Sequence, residues 1–233
     1  MMSFSIDPIG VIHSPYKEKF AIPRQPRLAK AGVGEIHLLP PYNQLEAVRG
    51  LEQFSHLWII FLFHQTQKQG WRPTVRPPRL GGNERIGVFA TRSTFRPNPL
   101  GLSAVELKDI LVQKGQIILK LGSVDILDGT PVIDIKPYIP YSDSYPEALA
   151  GYANDIPSSS LTIDFSNQAL IQLEQYQVAY PELKKLIIEV ISQDPRPAYK
   201  RKSLYLQHYG MRLFDFNIHW QIIDNHVEIL YLE

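Results

Sequence analysis

The sequence contains no cysteine, which excludes disulfide scaffolds, metal sites with thiolate ligands and enzymes with a cysteine nucleophile. This absence also fits a reducing compartment. The longest apolar run, residues 57–63, is far shorter than the roughly 20 residues that a membrane-spanning helix needs, and the start of the chain does not resemble a signal peptide. We therefore predict a cytoplasmic protein that does not span a membrane.

Several signatures of catalytic sites are also missing. The chain has no G-x-S-x-G nucleophile elbow, no Walker phosphate-binding loop and no pair of histidines at metal-binding spacing, so no metal site is predicted. Residues 81–87 are rich in glycine, but they precede a predicted strand instead of opening a helix. A nucleotide-binding loop is therefore not predicted there.

The net positive charge of the whole chain is small, but arginine is concentrated in one stretch. The net charge is +1, which argues against a protein that coats nucleic acid through bulk charge. Residues 71–101 nevertheless hold a single acid, Glu84, and these arginines: Arg72, Arg76, Arg79, Arg85, Arg92 and Arg96. The use of arginine without lysine favours contacts with phosphates or bases, and a solvated proline-rich surface is the alternative.

The same stretch has a distinctive local order. Residues 86–90 form an apolar run that predicts a buried strand. Pro97 and Pro99 then stiffen the chain, because each proline removes a backbone donor and restricts the residue before it. We expect a rigid loop that carries Arg92 and Arg96 at the mouth of a sheet. The alternative is a plain corner between two strands.

The N-terminal part is predicted to be mostly β structure. About seven short strands are separated by glycine and proline turns, and residues 57–63 are apolar at every position, which predicts a strand buried on both faces. This pattern favours an antiparallel β-barrel or a sandwich over residues 1–145. After a polar boundary, residues 160–233 show two amphipathic helices and three strands, which predict a smaller α+β domain.

Two polar groups follow predicted strands and are candidates for a pocket. His64 and Gln65 lie at the end of the 57–63 strand, and residues 128–131 (Asp-Gly-Thr-Pro) form a tight turn before the next strand. Each group has a structural alternative. The first is a strand end that reaches water, and the second is an ordinary turn.

Longer motifs resemble a known protein family. The runs GVIHSPYKEKFAIPRQP (10–26), FSHLWIIFLFHQ (54–65), all of 71–103, LDGTPVIDIKPYIPY (127–141) and DPRPAY (194–199) closely resemble the TrmO family over nearly the whole chain. The resemblance implies a homodimeric, S-adenosylmethionine-dependent tRNA methyltransferase built on a β-barrel instead of a Rossmann sheet. The implied target is N6 of threonylcarbamoyl-adenosine at position 37 of threonine tRNA.

The resemblance also implies site residues. The set expected to bind S-adenosylmethionine is Gln25, Pro26, Arg27, Leu28, His64, Gln65, Arg92, Leu102, Asp128, Gly129, Thr130 and Pro131. Because the acylated substrate amine must lose a proton, a general base is expected, and the candidates are Asp128, Asp134 and a neutral His64. The residues expected to contact the anticodon stem-loop are Arg72, Arg76, Arg96, Arg196 and Tyr199.

Two other functions remain open at the level of the sequence. The first is a non-catalytic RNA-binding barrel related to oligonucleotide-binding folds. The second is a hydrolase that uses His64 and a carboxylate, for which the chain offers no evident nucleophile or activated water. Binding of S-adenosylmethionine without RNA would separate the methyltransferase from the RNA-binding barrel.

Overall fold

The computed structural model describes residues 5–157, 160–197, 200–201, 203 and 205–233. Within these residues, the N-terminal strands in chain order are β1 (Gly10–His13), β2 (Val33–Leu38), β3 (His56–Leu62), β4 (Thr74–Val75), β5 (Ile86–Gly87), β6 (Leu100–Gln113), β7 (Gln116–Ser123) and β8 (Pro131–Pro137). Six of these strands close an antiparallel barrel in the spatial order β1-β2-β7-β6-β3-β8, while β4 and β5 form a separate two-stranded sheet.

The barrel closes because alternate residues of its strands are apolar and point inward. The interior is filled by branched side chains that are at most 1% exposed: Ile12, Ile36, Leu57, Ile59, Leu119 and Leu121. The β6–β7 hairpin turns at Lys114 and Gly115, which both have positive φ, as a tight two-residue hairpin turn requires. The predicted β-barrel is therefore confirmed.

Three local predictions need correction. The barrel has six strands within the described residues, not about seven. The 86–90 run is not a buried strand, because only Ile86–Gly87 is extended and Phe89 is 74% exposed. The strand β3 alternates between buried and half-buried residues instead of being buried on both faces, since one face points into the barrel and the other only partly covers the outside.

The direction of the strands places three connections at the same end of the barrel. Because neighbouring strands are antiparallel, β1, β3 and β7 end where β2, β6 and β8 begin. The register shows this directly, since Leu62 pairs with Leu100 and Val33 pairs with Ser123. We call this end the upper rim, and it is formed by the connections 14–32, 63–99 and 124–130.

The C-terminal part contains a second sheet and two helices, as expected for a smaller α+β unit. Its strands are β9 (Thr162–Phe165), β10 (Gln207–Leu213), β11 (Phe216–Ile223) and β12 (His226–Leu232), in the spatial order β10-β11-β12-β9. The helices of the described residues are α1 (Pro140–Asp143), α2 (Asn167–Tyr176) and α3 (Leu183–Ile191). Short 3-10 turns occur at Leu45–Val48, Leu51–Gln53, Gln67–Gln69, Pro78–Leu80, Val88–Ala90 and Gly151–Ala153.

The strand boundaries of this part differ from the sequence prediction. One hairpin, β10–β11, turns at Phe214 and Asp215, where the sequence predicted a continuous strand over 213–218. The predicted break between 218 and 220 is instead a bulge within β11, opposite β12. The alternation of apolar and polar residues did not reveal the hairpin or the bulge. A bulge shifts this alternation by one residue, as the start of a new strand also can.

The barrel and the C-terminal part share one continuous hydrophobic core. Tyr16 forms an isolated bridge with Leu213, and the amide of Phe214 donates to the carbonyl of Pro15 over 2.7 Å. The apolar face of α3 is completely buried at Leu186, Ile187 and Ile191. Among the described residues, the search for a helix long and apolar enough to cross a membrane finds none.

Candidate functional site

The upper rim collects most of the residues that the sequence singled out. The 14–32 connection carries Gln25, Pro26, Arg27 and Leu28; the 63–99 connection carries His64, Gln65, Arg72, Arg76, Arg92 and Arg96; the 124–130 connection carries Asp128, Gly129 and Thr130. Pro131 begins β8 and Leu102 is the third residue of β6, so both also lie at this end. Positions more than a hundred residues apart in the chain, such as Gln25 and Pro131, are thereby brought to one end of the barrel.

Arg92 and Gln25 are in direct contact. A guanidinium Nη1 of Arg92 donates a hydrogen bond to the side-chain Oε1 of Gln25, which joins the 63–99 connection to the 14–32 connection. Arg92 is otherwise exposed, and its planar group has further donors that can bind a carboxylate in a bidentate manner. The pair is therefore suited to holding the carboxylate of a small ligand at the rim.

The 128–131 turn is tied firmly to the end of β1. Asp128 Oδ1 accepts the amide of Ser14 over 2.9 Å, and Asp128 Oδ2 forms a 2.7 Å ion pair with Lys17. Gly129 has a φ of +73°, and the space beside its Cα is open. Both oxygens of the Asp128 carboxylate are thus engaged in holding the turn, which makes it a poor candidate for a general base.

A residue that the sequence did not single out, Asp125, lies in the 124–130 connection of the upper rim. It lies between the buried residues Val124 and Ile126. Its Oδ1 accepts a 2.6 Å hydrogen bond from the hydroxyl of Ser103 on β6, and Ser103 is only 4% exposed. The signal that marks it in the sequence is an acid between two apolar residues just after a strand.

The surroundings of Asp125 change its protonation. Burial raises the pKa of the Asp125 carboxyl to about 6, from an ordinary value of 3.8, and the Ser103 hydrogen bond and the charge of Arg92 oppose this only in part. Burial raises the pKa of the Tyr16 hydroxyl, and the negative charges of Glu189 and Asp125 raise it further. That hydroxyl has no hydrogen-bond partner among the described residues. A carboxyl group with a raised pKa in such a place is suited to proton transfer.

His64 and Gln65 lie next to a small cavity. They follow β3 directly, and the amide of Phe63 donates to the carbonyl of Pro99 over 2.7 Å. The cavity has a volume of about 150 Å³ and is lined by Thr66, Gln67, Gly70, Trp71, Thr94, Arg96, Pro97 and Pro99. Polar groups and one exposed aromatic residue thus face a common space beside the end of β3.

Arginine and aromatic side chains alternate around this cavity. The guanidinium carbon of Arg72 lies 4.4 Å from the centroid of the Phe95 ring, and that of Arg96 lies 5.8 Å from the Phe89 ring. Arg96 also donates to the carbonyls of Val88 and Thr91, which fixes its position. A guanidinium stacked on a ring keeps its N–H groups directed outward, where they can contact phosphates or base edges.

Helix α3 of the C-terminal part holds the 14–32 connection in place. The Glu189 carboxylate accepts the amide of Ala31 over 2.8 Å. Gln193 accepts the amide of Arg24 through its Oε1, and its Nε2 donates to the carbonyl of Leu28. These bonds flank the candidate segment 25–28 on both sides, so the C-terminal part positions one wall of the upper rim.

Three residues of the predicted site need separate description. Asp134 pairs with Ile60 within the β3–β8 ladder and faces the outside of the barrel, on the same face as Leu102, which pairs with Ile60 from β6. Arg196 is 4% exposed and binds Asp194 through two nitrogens, so its guanidinium is not presented to a tRNA phosphate. Tyr199 lies outside the described residues.

Similar proteins agree with this picture. Models of the tRNA-methyltransferase O N-terminal domain and the TrmO C-terminal domain match residues 11–144 and 158–233. The tRNA (adenine(37)-N6)-methyltransferase of Escherichia coli is 57% identical over 233 residues, which is 100% of this chain and 99% of that relative. A putative S-adenosylmethionine-dependent methyltransferase of Pseudomonas aeruginosa is 49% identical over 94% of this chain and 93% of its own.

A solved structure shows the same architecture. The crystal structure of TrmO from Pseudomonas aeruginosa superimposes with a TM-score of 0.81 at 40% sequence identity, covering 100% of this chain and 99% of that one. Barrel, C-terminal sheet and helices are therefore shared over the full length. On the two matching domain models, the full-length relatives and this fold, the chain belongs to the TrmO family.

Proposed function

We propose that this protein is an S-adenosylmethionine-dependent tRNA methyltransferase that modifies N6 of an adenine at position 37. Membership of the TrmO family and the activity named for the Escherichia coli relative support this proposal. The observation that carries it in the structure is the convergence of three connections at the upper rim, which brings the Arg92–Gln25 pair and the Asp125–Ser103 pair to the same end of the barrel. This arrangement offers both anion-binding and proton-accepting groups at one place.

The residues of the upper rim fit the chemical groups of S-adenosylmethionine. Its methionine end carries a carboxylate, for which the guanidinium of Arg92 is a suitable partner. Gly129 leaves its backbone open to a close approach, and Leu102, which is 55% exposed, offers an apolar surface to an adenine ring. S-adenosylmethionine supplies a methyl group on a sulfonium centre. The protein's own residues bind it, orient the target amine and remove a proton from that amine.

We further propose that the substrate is threonylcarbamoyl-adenosine in threonine tRNA, as the family resemblance implies. The test uses mass spectrometry of threonine tRNA nucleosides after incubation with the protein and S-adenosylmethionine. We expect methylation of threonylcarbamoylated tRNA and none of the same tRNA lacking the threonylcarbamoyl group. Equal methylation of both would contradict the narrow specificity, and methylation of neither would favour the non-catalytic RNA-binding alternative.

The anticodon stem-loop is proposed to bind along the arginine and aromatic residues of the 63–99 connection. Trp71 is 54% exposed and Phe89 is 74% exposed, so both rings are available for stacking on unpaired bases. Arg72 and Arg76 are exposed on the same connection, close in sequence to Trp71. Stacking and phosphate contacts of this kind are typical of single-stranded RNA recognition.

Neutralising these arginines should reduce the salt dependence of tRNA binding. We expect Arg72→Gln and Arg76→Gln each to lower the magnitude of the slope of log K against log salt by about 1, because each removes roughly one phosphate contact. Arg49→Gln is the matched control, since Arg49 is highly exposed but lies on the 39–55 connection at the opposite end of the barrel. Slopes that remain equal in all three variants would place the tRNA elsewhere.

A homodimer and a cytoplasmic location are also proposed, on the family resemblance and the absence of cysteine. The exposed apolar side chains of Phe89 and Leu102 near the upper rim are suited to a subunit contact. Light scattering of the purified protein measures its molar mass. A value corresponding to a single chain of 26.7 kDa at micromolar concentration would contradict the dimer.

A further inference from the structure

We propose that Asp125, held by Ser103 and facing Arg92, is the general base that accepts the proton from N6 during methyl transfer. This inference rests on the proposed function and adds a residue that the sequence-based candidates did not include. Its starting point is geometric. Asp125 lies in the 124–130 connection of the upper rim, and its Oδ1 accepts a 2.6 Å hydrogen bond from Ser103 on the inward face of β6.

The other carboxylates of the expected site are less suited to this role. Asp128 has one oxygen bound to the amide of Ser14 and the other to the Lys17 amine, so protonation would break the contacts that hold its turn. Asp134 lies on the outer face of the β3–β8 ladder, where its Oδ1 accepts the amide of Ile135. Asp125 is bound by the hydroxyl of Ser103 and by its own backbone amide. Its carboxylate can therefore accept a proton without breaking an ion pair.

The charges around Asp125 support the assignment. Arg92 on the 63–99 connection acts on it with a positive charge, and Tyr16 on the 14–32 connection interacts with it electrostatically. Burial nevertheless raises the pKa of Asp125 to about 6. At pH 7 to 8 the group is therefore mostly ionised, yet it binds a proton more strongly than an ordinary aspartate, as a base needs to.

The step is balanced as a direct displacement. The N6–H proton moves to a carboxylate oxygen of Asp125 while the N6 lone pair forms the new bond to the methyl carbon. The electrons of the sulfur–methyl bond return to sulfur, which loses its positive charge and becomes a thioether. The products are the methylated nucleoside, the neutral thioether and a protonated Asp125, which then returns its proton to water.

The test compares single-turnover methylation of threonylcarbamoylated threonine tRNA by the wild type and by single-residue variants. We expect Asp125→Asn to slow the chemical step by about 100-fold or more, because general bases typically contribute 10² to 10⁴ in rate. The affinities for S-adenosylmethionine and tRNA should change by less than about threefold. Asp109→Asn is the matched control, since Asp109 is exposed on β6 and its side chain accepts the amide of Ile110 next to it.

The pH profile distinguishes Asp125 from the other base candidates. The wild-type rate should rise about tenfold per pH unit below pH 6 and level off above it, and Asp125→Asn should lose this inflection. Ser103→Ala should move the inflection to higher pH, because the lost hydrogen bond had favoured the charged carboxylate. His64→Gln should keep the inflection. An inflection that persists in Asp125→Asn but disappears in His64→Gln would overturn the inference.

A stability measurement shows whether the Asn variant is folded. A carboxyl group with a pKa raised in the folded state stabilises the fold below pH 4, and this contribution is lost as the pH rises through 6. Asp125→Asn should therefore unfold at the same or a higher temperature than the wild type at pH 8. If it fails to fold, Asp125→Glu keeps a carboxylate, and we expect it to keep the pH inflection at a reduced rate.

The outcomes separate this inference from the proposed function. A wild type that methylates no tRNA would contradict both. A wild type that is active, with an Asp125→Asn variant that is active within about threefold, would leave the proposed function intact and overturn the role of Asp125. A variant that loses affinity for S-adenosylmethionine while keeping its single-turnover rate at saturation would make Asp125 a binding residue and would also overturn it.

Discussion

We expect Gly101→Ala to lower the free energy of unfolding by about 3 kcal/mol, because the new methyl group overpacks the barrel interior. Gly101 is buried on β6 and pairs with Phe61 on β3. A Cβ at position 101 would lie 2.3 Å from two atoms of the Phe61 ring. The ring cannot move away easily, since Phe61 is 5% exposed and packs edge-on against Phe63 at 5.3 Å.

Gly87→Ala is the matched control for this substitution. Gly87 has an ordinary φ of −57°, and a Cβ there would meet nothing within 4 Å. We expect its stability to change by less than about 0.5 kcal/mol. Urea unfolding followed by circular dichroism measures both variants. Equal midpoints would show that Phe61 does not occupy the space above Gly101.

A second-site change tests the physical cause. Phe61→Leu removes the ring atoms that the new Cβ would meet, so it should cost less stability in the Gly101→Ala background than in the wild type. Strictly additive losses would indicate that backbone strain, and not the contact with Phe61, destabilises the variant. The result also bears on function, because Gly101 lies between Leu100 and Leu102 at the upper rim.

Loss of the Arg92 guanidinium is expected to have the largest effect on cofactor binding. We expect Arg92→Ala to weaken S-adenosylmethionine binding by roughly 30- to 100-fold, since hydrogen bonds between charged groups contribute about 2 to 3 kcal/mol. Arg92→Lys keeps the charge but loses the planar fork, so a loss of roughly tenfold is expected. Isothermal titration calorimetry without tRNA measures both affinities directly.

The control for Arg92 comes from the same connection. Arg85 is exposed and donates through Nε to the hydroxyl of Thr74, which places it on the β4–β5 sheet. Arg85→Ala should leave the affinity for S-adenosylmethionine unchanged within about twofold. If Arg85→Ala and Arg92→Ala lose affinity equally, the effect comes from overall charge and not from the contact between Arg92 and Gln25.

Local sequence patterns predicted the turns and helices well. Lys114 and Gly115 mark the β6–β7 hairpin, and Asp224 and Asn225 mark the β11–β12 hairpin, because few residues tolerate the positive φ that such turns need. The spacing of apolar residues predicted α2 and α3, since apolar residues that recur about every 3.6 residues fall on one face of an α-helix. These turns and helices depend on residues that are close together in the sequence.

The patterns failed where distant residues decide the outcome. The 86–90 run is as apolar as a buried strand, but the barrel closes without it, and it remains in the 63–99 connection with Phe89 exposed. Arg196 belongs to a stretch that reads as an exposed basic loop, yet Asp194 turns back and pairs with it in the interior. Neither result follows from the local composition.

The two acids Asp125 and Asp128 show most clearly what the sequence determines and what depends on the tertiary structure. The sequence alone determined that this chain is a cysteine-free β-barrel of a recognisable family, with stiff arginine-bearing and Asp-Gly-Thr-Pro connections. Only the tertiary structure decided that Asp128 is held by Ser14 and Lys17 while Asp125 is set against Ser103 and Arg92. The reason is that strand pairing, which joins residues far apart in the chain, determines the electrostatic surroundings of a side chain.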